Sequence, residues 1–394
     1  MTKLREVCIH VVFLVVGKLF QILSALVGVA SDRRIWIFGL QTRQGIHEFK
    51  DNSKYLFLDL SNRYRADVRP IWLSWSFCLA ENLRAAGYEA YHILDPTGLK
   101  LAMRARYLFS HTGIWDVQKA ICGRALKVNL WHGINLKIVK AKEAYRADYV
   151  IATSKFTKEL FATSLGVDSS RVVVSGYPRN DLFFRVIQGY EIGLEEYLRD
   201  LRMLKKSARV VLYAPTFRDY MKMGIGFRAF FAAIPFDHGS LDRLLKEHAA
   251  YLVVKLHFSS HSKSNGRALE RYSERVYLLN EPIDIYPILR YSDVLVTDYS
   301  SVFFDYLLLD RPIVFYVPDY EKYDQARGFS LDFDLMAPGP KARDFQELLV
   351  ILRNVLDGED GFGEQRRRVR DYAFDHKDGR SSDRVARFFM GTQA

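Results

Sequence analysis

The chain has 394 residues, of which 49% are hydrophobic, 14% aromatic and 26% charged. This composition is that of a globular protein, so it excludes a wholly disordered, collagen-like or coiled-coil chain, and the length favours two domains. The 57 basic and 46 acidic side chains leave a net charge of +11. Such an excess suits an anionic partner, which the charge alone leaves open among nucleic acid, an acidic membrane face and a phosphorylated substrate.

The most apolar stretch of the chain spans residues 7–30 and follows the basic residues Lys3 and Arg5. Its polar residues, among them Lys18 and Gln21, fall in one arc of a helical projection, which is typical of a helix lying in a membrane interface. A full span would place Lys18 near the bilayer centre, at a cost of about 2.5–3.5 kcal/mol. We therefore expect residues 1–30 to form an amphipathic membrane-association helix. A true span and a helix buried against the protein itself are the alternatives.

Short apolar runs alternate with longer amphipathic stretches from residue 35 onward. The runs are continuously hydrophobic, which is typical of parallel strands buried on both faces. Strands are predicted at residues 35–38, 127–131, 149–152, 171–174, 210–213, 251–254, 294–297 and 313–316, and helical patterns lie at 155–165 and 241–248. A charged helical segment at 190–206 separates two series of strands. We therefore predict an N-terminal Rossmann-like domain at 31–195 and a C-terminal one at 196–394, which ends in a basic helical run at 365–389.

Polar clusters follow five of these predicted strands directly. In open α/β sheets, ligands bind just beyond the carboxyl ends of the strands, so the positions of these clusters are informative. The clusters lie at residues 132–133, 176–181, 214–218, 255–257 and 298–301, the last followed by Asp305 on a predicted helix.

The chemistry of the clusters points to a phosphorylated ligand. Arg179, Arg218 and Lys255 provide fixed positive charge for phosphate oxygens. Ser300 and Ser301 are small hydroxyl donors at a predicted helix start, where backbone amides favour an anion, although ordinary helix capping is the competing interpretation. Together these side chains predict a site for a nucleotide that contains a diphosphate, in a cleft between the two domains.

Two histidines complete the clusters. His132 and His257 can act as a base and a hydrogen-bond donor near neutral pH, although a lone histidine after a strand is more often structural. The chain has neither a Walker motif nor a Gly-x-Gly-x-x-Gly motif, which argues against a P-loop NTPase or a dehydrogenase. The Asp332–Asp334 pair is weak evidence for a metal, and the three cysteines form no zinc or disulfide pattern, so we expect no metal and no cofactor.

At these motifs the sequence resembles the CDP-glycerol glycerophosphotransferase family, the teichoic acid primases and polymerases. The similar segments lie at residues 131–133, 176–181, 213–218, 255–257, 297–301 with Asp305, 315–329 and 376–380, and more loosely at 51–55. One segment differs, because residues 134–137 read Ile-Asn-Leu-Lys where the family commonly has Thr-Pro-Leu-Lys.

The resemblance implies an α/β fold of GT-B type, in which two Rossmann-like domains enclose a cleft and the second binds most of the nucleotide. The implied partners are a CDP-glycerol donor, a lipid-linked glycan or polyol-phosphate acceptor, and the anionic cytoplasmic face of the cell membrane, where the enzyme attaches peripherally. No metal is required in the chemistry that the resemblance implies.

The reaction expected from the resemblance is the attack of an acceptor hydroxyl on the glycerol-bearing phosphorus of CDP-glycerol, with CMP as the leaving group. His132 is expected to be the general base, and His257 is expected to hold the diphosphate. Asp305 is expected to contact a ribose or polyol hydroxyl, and Ser300 and Ser301 to bind the departing phosphate. The full set of expected substrate-binding residues is Gly133, Asn135, Arg179, Thr216, Arg218, Lys255, Ser300, Ser301 and Asp305.

Three alternatives stay open on the sequence. A relative could use CDP-ribitol or another CDP-polyol, and a GT-B glycosyltransferase could use a nucleotide sugar at the same strand ends. A non-catalytic protein could instead bind nucleic acid or anionic lipid through the basic patch Arg366, Arg367, Arg368 and Arg370. Nucleic acid is the partner least consistent with the sequence, because it leaves the ordered polar motifs unexplained.

Overall fold

The computed structural model describes residues 30–39, 49–112, 121–138, 147–216, 237–255, 269–279 and 283–391. Most of the expected N-terminal helix, together with Arg218 and His257, lies outside the described residues. Within the described ranges, no helix is both long enough and apolar enough to cross a membrane.

The chain divides into two compact units. Unit 1 comprises the described residues of Met1–His132, Val139–Ile192 and Asp375–Ala394, and unit 2 those of Gly133–Ile138 and Gly193–Phe374. Each unit is built around its own largely parallel sheet, which confirms the expected α/β fold with two Rossmann-like units. The cleft expected between them stays a prediction.

The described part of unit 1 contains a sheet of seven parallel strands in the order β3-β2-β1-β4-β5-β6-β7. Residues 35–38 of the first strand are fully buried, as expected for a strand covered on both faces. The strands are β1 (Asp32–Gly39), β2 (Arg69–Ser74), β3 (Ala90–His92), β4 (Ala105–Ser110), β5 (Leu126–Asn129), β6 (Tyr149–Ala152) and β7 (Val172–Val174).

Helices connect these strands at α1 (Asp51–Arg63), α2 (Phe77–Ala85), α3 (Pro96–Arg104), α4 (Lys155–Leu165) and α5 (Asp181–Phe184). The sequence predicted α4 with these bounds, and local chemistry explains why. The Ser154 hydroxyl accepts from the backbone N–H of Thr157, and the Thr157 hydroxyl accepts from the N–H of Ser154, which forms a capping box. Gly166, at a φ of 65°, then ends the helix in the left-handed region.

The described part of unit 2 contains a second seven-stranded sheet in the order β10-β11-β9-β8-β12-β13-β14. All neighbouring strands are parallel except β10 and β11, which pair antiparallel. The strands are β8 (Arg209–Tyr213), β9 (Ala250–Lys255), β10 (Leu269–Arg271), β11 (Val276–Leu279), β12 (Val294–Thr297), β13 (Ile313–Tyr316) and β14 (Lys341–Ala342).

The helices of unit 2 cover this sheet and bury its apolar faces. They are α6 (Glu195–Ser207), α7 (His238–Glu247), α8 (Tyr286–Tyr291), α9 (Val302–Tyr306), α10 (Tyr320–Arg327), α11 (Phe333–Met336), α12 (Phe345–Asp357) and α13 (Gly363–Ala373). One core joins Val211, Val254 and Val296 of the sheet to Leu245 of α7 and Leu352 of α12. The Asp332–Asp334 pair lies at a helix start, where the Asp332 carboxylate accepts from the N–H of Asp334 and so caps α11.

The C-terminus differs from the sequence prediction. The run expected to be one basic helix is α13 followed by a separate helix, α14 (Ser381–Gly391), and α14 belongs to unit 1 although the second domain was expected to continue to residue 394. The Asp181 carboxylate accepts from the backbone N–H groups of Ser381 and Ser382, both at 2.8 Å. Phe389 packs edge-on against Trp36 of β1. Helix capping and aromatic burial therefore hold α14 in unit 1.

Three arginines of the expected basic patch on α13 form ion pairs within unit 2. Arg366 is buried and donates to the Asp360 carboxylate at 2.6 Å. Asp310 lies between 3.6 and 3.7 Å from the guanidinium groups of Arg366, Arg367 and Arg370. These ion pairs attach α13 to the turn before β13, whereas Arg367 and Arg368 remain exposed to solvent.

Candidate active site

The predicted base, His132, lies three residues beyond the end of β5 with its side chain exposed. The preceding Trp131 is buried and has a φ of 57°, in the left-handed region that a bulky residue rarely adopts. Backbone strain of this kind costs about 1–3 kcal/mol and persists only where the surroundings fix it. The Trp131 and His132 rings lie with their centroids 4.7 Å apart. His132 thus stands on a strained turn that the rest of unit 1 has to hold.

Four hydrogen bonds hold this turn. The Asn129 side-chain oxygen accepts from the N–H of Trp131 at 2.9 Å, and the N–H of Leu130 donates to the carbonyl of Ser110 at 2.6 Å. From α1, the Asn52 amide donates to the carbonyl oxygens of Leu130 and Trp131, at 3.0 and 2.9 Å. The backbone on both sides of the strained residue is therefore bonded to buried groups.

The start of α1 is itself anchored to the turn after β7. The N–H of Arg179 donates to the Asn52 side-chain oxygen at 3.1 Å, and the Arg179 guanidinium donates to the Asp51 carboxylate at 2.6 Å. The guanidinium also lies 4.8 Å from the centre of the Tyr177 ring. Because only 1% of the Arg179 side chain is exposed, it has no surface to offer a diphosphate in this structure. The structure places Arg179 among the groups that support the turn.

A buried histidine extends this network. His111, at the end of β4, has its Nδ1 atom 3.1 Å from the Ser53 hydroxyl. Burial lowers the pKa of His111 to about 3, so its imidazole is neutral at physiological pH. Burial also raises the pKa of Asp51, but the Arg179 charge and the hydrogen bonds from Arg179 and the Asn52 N–H outweigh it and leave the pKa of Asp51 below its usual value. The network therefore holds one ion pair and one neutral histidine.

The carboxyl edge of the unit 2 sheet gathers four of the expected substrate-binding residues. Thr216 follows β8, Lys255 ends β9, and Ser300 and Ser301 follow β12. Because β8 pairs in parallel with both β9 and β12, the ends of all three strands lie at one edge. All four side chains are partly exposed. The edge thus presents three hydroxyl groups and one ammonium group.

Buried carboxylates lie beneath this edge. Asp298 accepts from the backbone N–H and the hydroxyl of Thr216, at 2.9 and 2.6 Å, and so fixes the end of β8 against the end of β12. Asp305 on α9 is 1% exposed and accepts from the Tyr286 hydroxyl at 3.3 Å. In the sequence, Asp298 is only one member of the 298–301 cluster. Its contacts with Thr216 show that it anchors the end of β8. A contact between Asp305 and a ribose or polyol hydroxyl stays a prediction.

The segment that follows His132 belongs to unit 2. Gly133 and Asn135 are buried within it. The Ser330 hydroxyl donates to the carbonyl of Asn135 at 2.6 Å, and Lys137 forms an antiparallel bridge with Phe329. Residues 134–137, where the chain departs from the common family pattern, are thus held to residues 328–330 largely through backbone atoms.

In the described part of the chain, no three His, Cys, Asp or Glu side chains are grouped closely enough to hold a metal ion. Cys78 is exposed and Cys122 is buried, and burial raises the pKa of Cys122 to about 12. The Cys122 thiol is therefore protonated and weakly reactive.

Comparisons with known proteins agree with the motifs. The chain is 35% identical over 217 residues to a teichoic acid poly(glycerol phosphate) polymerase of Bacillus spizizenii, over 54% of this chain and 52% of that protein. It is 33% identical over 256 residues to a teichoic acid ribitol-phosphate primase of the same organism, over 64% of this chain and 61% of that protein. The chain therefore spans between half and two thirds of the length of these relatives.

The fold is similar to that of the wall teichoic acid polymerase TagF, with a TM-score of 0.67 at 21% identity, over 92% of this chain and 90% of that chain. A likeness at this identity concerns the fold. The family model for CDP-glycerol:poly(glycerophosphate) glycerophosphotransferase matches residues 34–391, which include both sheets and both groups of polar residues. The chain belongs to the CDP-glycerol:poly(glycerophosphate) glycerophosphotransferase family.

Proposed function

We propose that this chain transfers glycerol phosphate from CDP-glycerol to a hydroxyl group of a lipid-linked acceptor and releases CMP, in the synthesis of teichoic acid or a related cell-surface phosphopolymer. The observation that carries this proposal is the family match over residues 34–391, which includes both sheet edges with their polar groups. A teichoic acid polymerase and a primase among the relatives support the same reaction class.

The proposed step is a single displacement at phosphorus. The acceptor hydroxyl oxygen attacks the phosphorus that carries glycerol, and the bond from this phosphorus to the bridging oxygen of the diphosphate breaks. The bridging oxygen keeps the electron pair and leaves as part of CMP. A ring nitrogen of His132 takes the hydroxyl proton. General-base catalysis of this kind contributes about 10²–10⁴ to the rate. Phosphoryl transfer needs little covalent help beyond positioning and charge stabilisation.

The donor is assigned to the edge of the unit 2 sheet. Lys255 provides a positive charge for the diphosphate, and the hydroxyls of Ser300 and Ser301 are donors for its oxygens. The Thr216 hydroxyl already donates to Asp298, so it lines the site without donating to the ligand. Arg218 and His257 belong to the same sequence clusters and stay predicted ligands outside the described residues. The buried Arg179 is left out of this donor site because of its pairing with Asp51.

The polyol is the least constrained part of the proposal. The family description names glycerol, whereas one relative is a ribitol-phosphate primase, so CDP-ribitol is the second candidate donor. Residues 134–137 differ from the common family pattern next to the base, where an acceptor or polyol would approach. A peripheral position on the cytoplasmic face of the cell membrane is part of the proposal, because a lipid-linked acceptor lies there.

The test is a donor screen with the full chain. The protein is incubated with a prenyl-diphosphate-linked glycan, with or without a terminal glycerol phosphate, and with CDP-glycerol, CDP-ribitol, UDP-sugars or GDP-sugars. We expect CMP release from CDP-glycerol that depends on the acceptor. CMP release from CDP-ribitol alone would replace glycerol by ribitol. Release of UDP or GDP from a nucleotide sugar, without CMP release from any CDP-polyol, would overturn the proposal in favour of a glycosyltransferase.

A further inference from the structure

We infer that Asn52 is the positioning residue of the base, because its amide fixes the peptide on which His132 stands. Asn52 contacts no substrate in this inference and acts only through the backbone of Leu130 and Trp131. The inference rests on the proposed function, since it takes His132 to be the group that accepts the proton.

The Asn52 amide is used in full. Its nitrogen donates to two carbonyl oxygens, those of Leu130 and Trp131, and its oxygen accepts from the N–H of Arg179. Carbonyl oxygens can only accept and a backbone N–H can only donate, so these partners fix which end of the amide is which. Aspartate lacks the two donors and alanine lacks all three groups. The site therefore requires a primary amide, and Asn52 is fully buried there.

The hydrogen bond from Asn52 to the Trp131 carbonyl fixes the peptide group that joins Trp131 to His132. A peptide group is planar, so the carbonyl of Trp131 and the N–H of His132 turn together. Trp131 is held at a φ of 57°, and this strain favours rotation of the peptide once its bonds are lost. Asp51, immediately before Asn52, also has a positive φ, at 59°. Asn52 thus joins two strained backbone positions, and one of them precedes the base.

The surroundings of Asn52 limit what else it can do. Arg179 and Asp51 neutralise each other at 2.6 Å, and His111 is neutral. Lys50, Asp51, Arg179 and His132 are the charged or titratable groups that act on His111. A carboxylate in place of the Asn52 amide would add one uncompensated negative charge to this buried cluster. Such a charge favours the protonated form of a nearby imidazole.

The main experiment compares Asn52→Ala with two matched variants. Asn62→Ala removes an amide from the same helix, where it donates to the carbonyl of Gln188 at 3.1 Å on an exposed surface. Leu83→Ala removes a fully buried side chain from α2 and lowers thermal stability without touching the network. For each protein the kcat and KM for CDP-glycerol, the affinity for CDP-glycerol by calorimetry, and the Tm are measured.

A positioning role predicts a specific pattern. Asn52→Ala should lower kcat about 100-fold, as displacement of a reacting group by about 1 Å does, while the donor affinity stays within twofold. Asn62→Ala should match the wild type, and Leu83→Ala should lower the Tm with little change in kcat. The inference is overturned if Asn52→Ala keeps more than half of the wild-type kcat, or if Leu83→Ala loses as much kcat at the same loss of Tm.

A second variant keeps the test decisive if Asn52→Ala does not fold. Asn52→Asp preserves the shape of the side chain but lacks both donors, so its kcat should also fall, and its added negative charge should move the acidic limb of its kcat/KM profile to higher pH. An unshifted profile with wild-type kcat would overturn the inference. A wild-type protein that releases no CMP from any CDP-polyol is a different result, because it contradicts the proposed function before Asn52 is tested.

Discussion

The carboxyl edges of the two sheets are built in opposite ways. In unit 1 the polar groups near His132 are buried and bonded to each other, and Asn52 and Arg179 have essentially no exposed surface. In unit 2 the described polar groups, Thr216, Lys255 and the two serines at 300 and 301, remain partly exposed. The polar groups at the first edge are buried, and those of Thr216, Lys255, Ser300 and Ser301 at the second edge are in part accessible to solvent.

Under the proposed function, this difference assigns the base to the unit 1 edge and donor binding to the unit 2 edge. A buried network whose hydrogen bonds are all formed is suited to hold one exposed group in a fixed orientation. Its groups are already ordered when the protein folds and need not rearrange during the reaction. Partly exposed hydroxyl and ammonium groups are suited to bind a ligand that arrives from solvent. Changes at the unit 1 edge should therefore alter kcat or stability, whereas changes at the unit 2 edge should alter the affinity for the donor.

The largest expected effect is the loss of the base. His132→Ala should lower kcat by about 10²–10⁴, because general-base catalysis contributes that much, with the affinity for CDP-glycerol unchanged. Steady-state CMP release and calorimetric binding measure the two quantities separately. His92→Gln, at the end of β3, is the matched control, because both ring nitrogens of His92 contact backbone atoms of unit 1. Full turnover by a folded His132→Ala protein would remove the base assignment.

The second expected effect is the breaking of the buried ion pair. Asp51→Asn leaves the Arg179 charge buried without a counter-ion, which should lower the free energy of unfolding by about 3–5 kcal/mol. Asparagine tolerates a positive φ as aspartate does, so the change isolates the charge. Urea denaturation measures the loss.

The exposed ion pair of Arg69 and Glu89 provides the control for this experiment. Its two hydrogen bonds are both 2.8 Å long, but 45% of the Arg69 side chain is exposed. Glu89→Gln should therefore cost about 0–1 kcal/mol. Equal losses in Asp51→Asn and Glu89→Gln would mean that burial does not distinguish the unit 1 edge.

The sequence predicted the architecture well because the strands are hydrophobic on both faces. All eight predicted strands are present, although the one predicted to include Trp131 ends at Asn129, where the backbone turns into the left-handed region. Six of the described strands were not predicted, and two of them, β2 and β11, are also continuously apolar. β4 carries Arg106 and Tyr107 within six residues, and β14 has two residues only. The two helices at the C-terminus were merged, since one basic pattern runs through both.

The sequence predicted the location of those candidate site residues that directly follow a strand. Thr216, Lys255 and His132 follow strands, and the structure places each of them at the carboxyl edge of its own sheet. Asn52 and Arg179 owe their roles to contacts over 78 to 127 residues of sequence, which no local pattern reveals. Arg179 follows its strand as expected, but Asp51 determines that its guanidinium is turned inward.

The third expected effect is a pH dependence of stability that arises from His111 at the unit 1 edge. Burial lowers the pKa of His111 to about 3, so between that value and its usual 6.5 the unfolded chain binds a proton that the folded chain does not. Stability is therefore complete above pH 6.5 and falls by about 1.4 kcal/mol per pH unit below it. The wild type should lose about 2 kcal/mol more than His111→Asn between pH 6.5 and pH 5.

Urea denaturation at the two pH values measures this difference, and other titrating groups cancel between the two proteins. Asp51 does not interfere, because its pKa is lowered and its contribution is lost only at more acidic pH. Parallel stability curves for the wild type and His111→Asn would contradict a neutral buried His111.

The smallest expected effect lies at the unit 2 edge. Ser300→Ala and Ser301→Ala each remove one partly exposed hydroxyl, so each should weaken CDP-glycerol binding about two- to tenfold, the worth of one hydrogen bond. The kcat at saturating donor and the Tm should change little. Calorimetry and CMP release give the two numbers, and Ser207→Ala at the exposed end of α6 is the control. This pattern is the reverse of that expected for His132→Ala. If the serine variants instead lowered kcat at unchanged affinity, both edges would contribute to the chemical step. The exposure of an edge would then not indicate whether it holds the base or binds the donor.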